Sequence, residues 1–272
     1  MDLVDMIKDS LRYPTENYMT WAVLAVICFI ISICSLAQYS VNNSIVSAVM
    51  SIIVILVTFI ELGYCLKLTK SQINGPEVTV KKMDELPEVI KNEFIDGIKL
   101  TVVAIVYMIV PAIIFAILAF LTGAWSKISV FVGYFTNAGI NAVMSNPEAV
   151  VNAIPNAVIV DFASSAMFLT ILGVILMIVF TLLLEIATAK LAETGSITDA
   201  INFKVVVEKI SSIGWGRYIV YAIIMAILGI VCFIIQLIVS MIPAVGPIVS
   251  DTIVVSFYIM FSSIALGKLC AY

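Results

Sequence analysis

Residues 100–122 read LTVVAIVYMIVPAIIFAILAFLT, twenty-three positions without one charge. Coiled as a helix at about 1.5 Å per residue, the run exceeds the roughly 20 apolar residues that cross a bilayer core. It is too long and too evenly apolar for a barrel strand, which alternates apolar and polar over about 10 residues. Working outward, five more such runs appear. Residues 19–37 carry no charge, and residues 45–66 are interrupted only by Glu61. Residues 162–184 and 218–242 are again uncharged, and 248–267 hold a single charge, Asp251. The expected fold is therefore all-α: an integral membrane bundle of six transmembrane helices, in one membrane domain spanning residues 1–272.

Composition agrees. Of 272 residues 62% are hydrophobic and 12% charged, against about 45–50% and about 25% in a soluble domain. Polar groups are too few to cover a surface facing water alone, so part of the solvent is lipid. The net charge of −4 lacks the basic stripe a nucleic-acid partner requires. Cys28, Cys34, Cys65, Cys232 and Cys270 form no CxxC pair and read as small buried hydrophobes. Histidine is absent, which removes Ser-His and Cys-His nucleophile pairs and histidine metal ligands. No Walker loop, dinucleotide fingerprint or nucleophile elbow appears, so neither catalytic residue, metal site nor cofactor is expected.

Basic residues set the orientation. Lys8 and Arg12 precede the first span; Lys67, Lys70, Lys81, Lys82, Lys91 and Lys99 separate the second from the third. Lys190, Lys204, Lys209 and Arg217 separate the fourth from the fifth, and Lys268 follows the sixth. Only Lys127 falls on the other side, so both termini are expected in the cytoplasm. Asp2, Asp5 and Asp9 precede the first run and no A-x-A-like cleavage site follows it, so the reading is a retained helix rather than a signal peptide.

The spans group into three hairpins, each preceded by an amphipathic cytoplasmic segment (residues 1–18, 67–99 and 185–217). Their apolar stripes are Leu3, Val4, Ile7 and Leu11; Leu86, Val89, Ile90, Phe94 and Ile98; and Ile201, Val206, Ile210 and Ile213. Pro87 suits a first helical turn, and Ser196 or Thr198 offers an N-cap. The outer loop 123–161 is long and apolar yet rich in Asn and Gly. Asn146-Pro147-Glu148 opens a short helix there to about Ile154, ended by Pro155. One or two helices are expected in that loop, lying on the membrane surface or dipping into the bundle.

Several elements occur in a distinctive order: Leu11-Arg12-Tyr13-Pro14, Leu62-Gly63-Tyr64, Glu85-Leu86-Pro87, Phe94-Ile95-Asp96-Gly97-Ile98-Lys99-Leu100, Tyr107 with Pro111, and Gly214-Trp215-Gly216-Arg217-Tyr218. Together they resemble a prokaryotic, largely archaeal family of membrane proteins known as domain of unknown function 4013. The likeness covers most of the chain but not the middle outer loop. It implies six α-helical spans of unestablished activity and brings no site residues with it.

Candidate binding residues are few. Glu61 and Glu185 stand near the cytoplasmic ends of the second and fourth spans, and intramembrane carboxylates often mark ion or proton pathways. The competing reading is interfacial: each pairs with a lysine within two turns, Lys67 or Lys190, or reaches water. Asp161 and Asp251, at the starts of the fourth and sixth spans, either complement helix dipoles or share a cation-attracting vestibule. Pro111 marks a kink in the third span. Gln236 either lines a polar path or bonds a neighbouring helix. Ala112–Ala116 and Ser263–Gly267 are small-xxx-small pairs that permit close helix approach. Two functions remain open: transport or handling of a small molecule, ion or lipid, and a non-enzymatic scaffold whose cytoplasmic helices meet anionic headgroups or a partner protein. A lipid-acting enzyme ranks third.

Overall fold

The computed structural model describes residues 2–41, 43–75, 86–243 and 245–271, and for Tyr39 and residues 86–89 the backbone alone. Lys81, Lys82 and Glu85, and the side chains of Leu86 and Val89 in the second stripe, lie outside the described residues. Every regular element described is helical. The elements are α1 (Leu3–Glu16), α2 (Tyr18–Ser40), α3 (Ser44–Asn74), α4 (Leu86–Leu121), α5 (Ala124–Ala138), α6 (Ile140–Ser145) and α7 (Pro147–Asn152). There follow α8 (Asn156–Thr194), α9 (Ile197–Ile201), α10 (Phe203–Ile213), α11 (Trp215–Ser240), α12 (Gly246–Val249), a π-helical turn (Ser250–Val255) and α13 (Ser256–Cys270). The last three run on as one rod, and six helices are long and apolar enough to cross a membrane.

The chain divides into two compact units, one of residues 1–105 and 183–272, the other of residues 106–182. In the first, Leu24 and Cys28 of α2, Tyr64 and Leu68 of α3, and Met260 and Ile264 of α13 form a buried cluster. Small residues let the backbones close in. A methyl group added at Gly63 would lie 1.7 Å from the Glu93 carbonyl oxygen, and one at Gly97 would lie 1.8 Å from that of Phe59. The crossing of α3 and α4 is thus reciprocal, each glycine meeting a carbonyl one turn from the other. Phe59 and Phe94 close it edge to face at 5.6 Å. The Ser263–Gly267 pair does the same for α13 on α3: Thr69 donates to the Ser263 carbonyl at 3.1 Å, and Gly267 leaves no room for a methyl beside the Thr69 carbonyl. Ala112 and Ala116 are instead exposed.

Capping explains the element ends. Asp2 accepts from the Leu3 amide at 2.7 Å, and Asn43 accepts from Ile45 and Val46 at 3.0 and 3.3 Å. Ser196 accepts from the Asp199 amide, so of the two expected caps Ser196 serves α9. The second amphipathic segment is not a separate helix. It is continuous with its span: α4 runs from Leu86 to Leu121 through Pro111, whose missing N–H removes one rung of the ladder without ending the helix. Segments 67–74 and 185–194 likewise extend α3 and α8 beyond the predicted spans. The first and third segments do form discrete helices, α1 and α10, burying Met6 and Ile7, and Val206, Ile210 and Ile213.

In the second unit, Ala119, Ala124 and Leu169 pack with Phe115, Ile128 and Leu172, while Phe131 and Phe162 stack at 3.9 Å. The middle loop contains three helices rather than one or two, since Gly139, at a φ of 80°, breaks what would have been one. Asn146 caps α7 through the Ala149 amide at 3.2 Å, as its Asn-Pro-Glu start predicts.

Candidate functional site

Apolar side chains cover the outside of the spans: Ile105, Ile109, Ile113 and Ile117 of α4, and Ile223, Ile227, Ile230 and Ile234 of α11, are all exposed. Polar groups turn inward. On α2, Leu24, Cys28 and Ser32 recur every fourth residue on one buried face. The Cys28 thiol donates to Glu61 Oε1 of α3 at 3.4 Å, and the Ser32 hydroxyl donates to Asp251 Oδ2 at 3.0 Å. From α11, the Gln236 side-chain amide donates to Asp251 Oδ1 at 3.4 Å, while the Gln236 main-chain carbonyl accepts from the Ser250 hydroxyl. Trp21 Nε1 donates to Ser256 at 2.9 Å, one turn along the same side of α2. Four elements therefore converge on two carboxylates.

The π-helical turn places one of them. A single widened turn shifts the register of the residues beyond it, and such turns recur at functional positions. Asp251 sits inside the continuous α12–α13 rod, beyond the four residues of α12, and faces Ser32 and Gln236. Side-chain donors therefore account for Asp251 where a helix N-terminal dipole was expected to. Asp161 belongs to the other unit and pairs with Lys127 of α5 at 3.3 Å, both half-exposed. The two aspartates are thus each accounted for within their own unit.

The interfacial pairing of Glu61 and Glu185 does not form. Lys67 is taken by Glu93 of α4 at 2.9 Å, and Lys190 by Glu193 at 2.9 Å, where Lys209 of α10 also arrives at 3.6 Å. Among the described residues, no ion pair includes Glu61, Glu185 or Asp251. Glu185 accepts instead from the Tyr218 hydroxyl at 3.3 Å. A charge costs about 2.5–3.5 kcal/mol at the centre of a span on insertion scales and less towards its ends, and a hydrogen bond to a charged group returns about 1.5–3 kcal/mol. Two amide or hydroxyl donors roughly offset the cost at Asp251. One weak thiol donor leaves Glu61 the less compensated of the two.

At the lysine-rich end of the same unit lies a cavity of about 480 Å³. Lys67, Lys70, Asn74, Asn92, Glu93 and Asp96 supply its polar lining. Lys268 nearby pairs with Asp9, tying α13 to α1, and stands 6.0 Å from the Tyr13 ring centre. No three His, Cys, Asp or Glu among the described residues gather as a metal site.

Six apolar helices with lipid-facing isoleucines and an inward polar network define a multi-pass α-helical membrane protein. The chain belongs to the family designated DUF4013 and described as proteins of unknown function, whose model matches residues 46–244, well over half of the chain. The matched range holds Glu61, Glu185 and Gln236 but begins after Cys28 and Ser32 and ends before Asp251. No curated protein and no solved structure matches the chain.

Sequence reasoning singles out Glu61, Asp251 and Gln236, takes Cys28 for a buried hydrophobe, and misses Ser32, Trp21 and Glu93. The signal for Cys28 and Ser32 is their four-residue spacing in an otherwise apolar span.

Proposed function

We propose that the protein transports or handles a small cationic solute or ion, with Glu61 and Asp251 as the groups that meet it. One observation carries this reading: Cys28 and Ser32, a turn apart on α2, link carboxylates of two other elements with no basic counter-charge among the described ion pairs. Carboxylates retained within hydrocarbon at such cost favour a cation that passes or binds. The lysine distribution supports both termini in the cytoplasm, and the family resemblance supports a prokaryotic plasma membrane.

Proteoliposomes loaded with a cation-sensitive or pH-sensitive dye test the reading. An imposed Na⁺, K⁺ or H⁺ gradient should dissipate faster than in empty vesicles, and Glu61→Gln should abolish the difference. Equal rates with and without protein would remove the reading. They would favour the second one, a scaffold, which the amphipathic α10 supports by presenting Lys204, Val207 and Glu208 outward to anionic headgroups or a partner protein.

A further inference from the structure

We propose that Glu185 of α8 with Tyr218 and Tyr221 of α11 forms a binding site for one monovalent cation. Tyr218 and Tyr221 are three residues apart on one face of α11, with ring centres 6.4 Å apart and planes 20° from parallel. Tyr221 is 0% exposed, yet its hydroxyl has no hydrogen-bond partner among the described residues. Buried phenols ordinarily find one, and leaving such a group unpaired is costly. Its stacked neighbour Tyr218 in turn reaches the Glu185 carboxylate.

Glu185 is itself under-coordinated. Its one described hydrogen bond, from Tyr218, is 3.3 Å long, whereas a hydroxyl on a carboxylate normally closes to about 2.5–2.7 Å. No lysine or arginine forms an ion pair with it among the described residues. A carboxylate with spare lone pairs and an orphaned phenol thus both neighbour Tyr218, one at its hydroxyl and the other along its ring. A single small cation satisfies both, since carboxylate and phenol oxygens are hard ligands and its charge cancels that of Glu185. The charge count sets the class. One carboxylate, with no cluster of three acidic, histidine or cysteine side chains among the described residues, suits a monovalent ion rather than a divalent one. This site is independent of Glu61 and Asp251 and stands whether or not the protein moves solute.

The test is thermal unfolding of the purified full chain in detergent, in choline chloride at constant ionic strength, titrated with LiCl, NaCl or KCl. At least one of the three ions should raise the unfolding midpoint saturably. Glu185→Gln should abolish that rise. Tyr221→Phe removes one oxygen atom and should raise the half-saturating concentration about tenfold. A role for the phenol in packing alone predicts the opposite for Tyr221→Phe: a more stable protein with cation dependence unchanged. That result, or the absence of stabilisation by all three ions, overturns the proposal. Its failure leaves the Glu61→Gln flux experiment unaffected, so the two readings fail separately.

Discussion

Gly63 on α3 and Gly97 on α4 each rest against the other helix's main chain, at the carbonyls of Glu93 and Phe59. The contact draws the two backbones together just where Lys67 reaches Glu93, so a packing motif and a charge pair occupy one crossing. Gly63→Ala or Gly97→Ala forces the helices apart, an overpacking cost of at least about 1–3 kcal/mol. Gly133 of α5 has open space around it, and Gly133→Ala should gain up to about 1 kcal/mol of helix propensity. Thermal unfolding in detergent checks both signs; equal midpoints for the three variants would refute the close crossing.

Asp251 separates charge from hydrogen bonding. Ser32→Ala leaves it only the Gln236 amide and should destabilise by about 1.5–3 kcal/mol. Asp251→Asn keeps an acceptor for Ser32 while removing the charge, so it should be more stable than the parent, at the expense of any cation flux. A lower midpoint for Asp251→Asn would mean that the carboxylate is structural.

The Lys67–Glu93 pair is largely buried, its side chains 23% and 8% exposed. Lys67→Met strands the Glu93 charge and should cost about 3–5 kcal/mol, most of which Glu93→Gln in the same chain restores. Lys204 pairs with Glu208 at 4.0 Å in full view of solvent, and Lys204→Ala should change stability by less than about 0.5 kcal/mol. A double-mutant cycle on each pair reads the coupling directly.

Orientation has its own test. In a cysteine-free background, a membrane-impermeant maleimide applied to intact cells should tag Lys127→Cys and leave Lys204→Cys unlabelled until the cells are opened. The reverse pattern would invert the threading while keeping six spans.

The spans were legible because hydrocarbon imposes a strong and simple demand, some twenty apolar residues in a row, which the 100–122 run meets outright. Element joints were less so. Nothing in the pattern marks where the amphipathic lead-in of α4 gives way to its span, and the Gly63–Gly97 crossing joins residues 34 positions apart that no local pattern announces. The carboxylates were visible as charges out of place, but their partners were not. Sequence proximity put Lys67 beside Glu61, one to two turns along α3, whereas the Lys67 ammonium turns across to α4 and Glu93. The π-helical turn at Ser250–Val255 has no residue signature in that stretch, so the inward aim of Asp251 could not be read before the fold.

The boundary between the two compact units falls within α4 and within α8, near residues 105 and 183. Neither seam is a loop. A protease needs several residues of extended chain to cut, and here the backbone is helical and hydrogen-bonded at both crossing points. Residues 106–182 cannot be excised without severing two of the long apolar helices, α4 and α8.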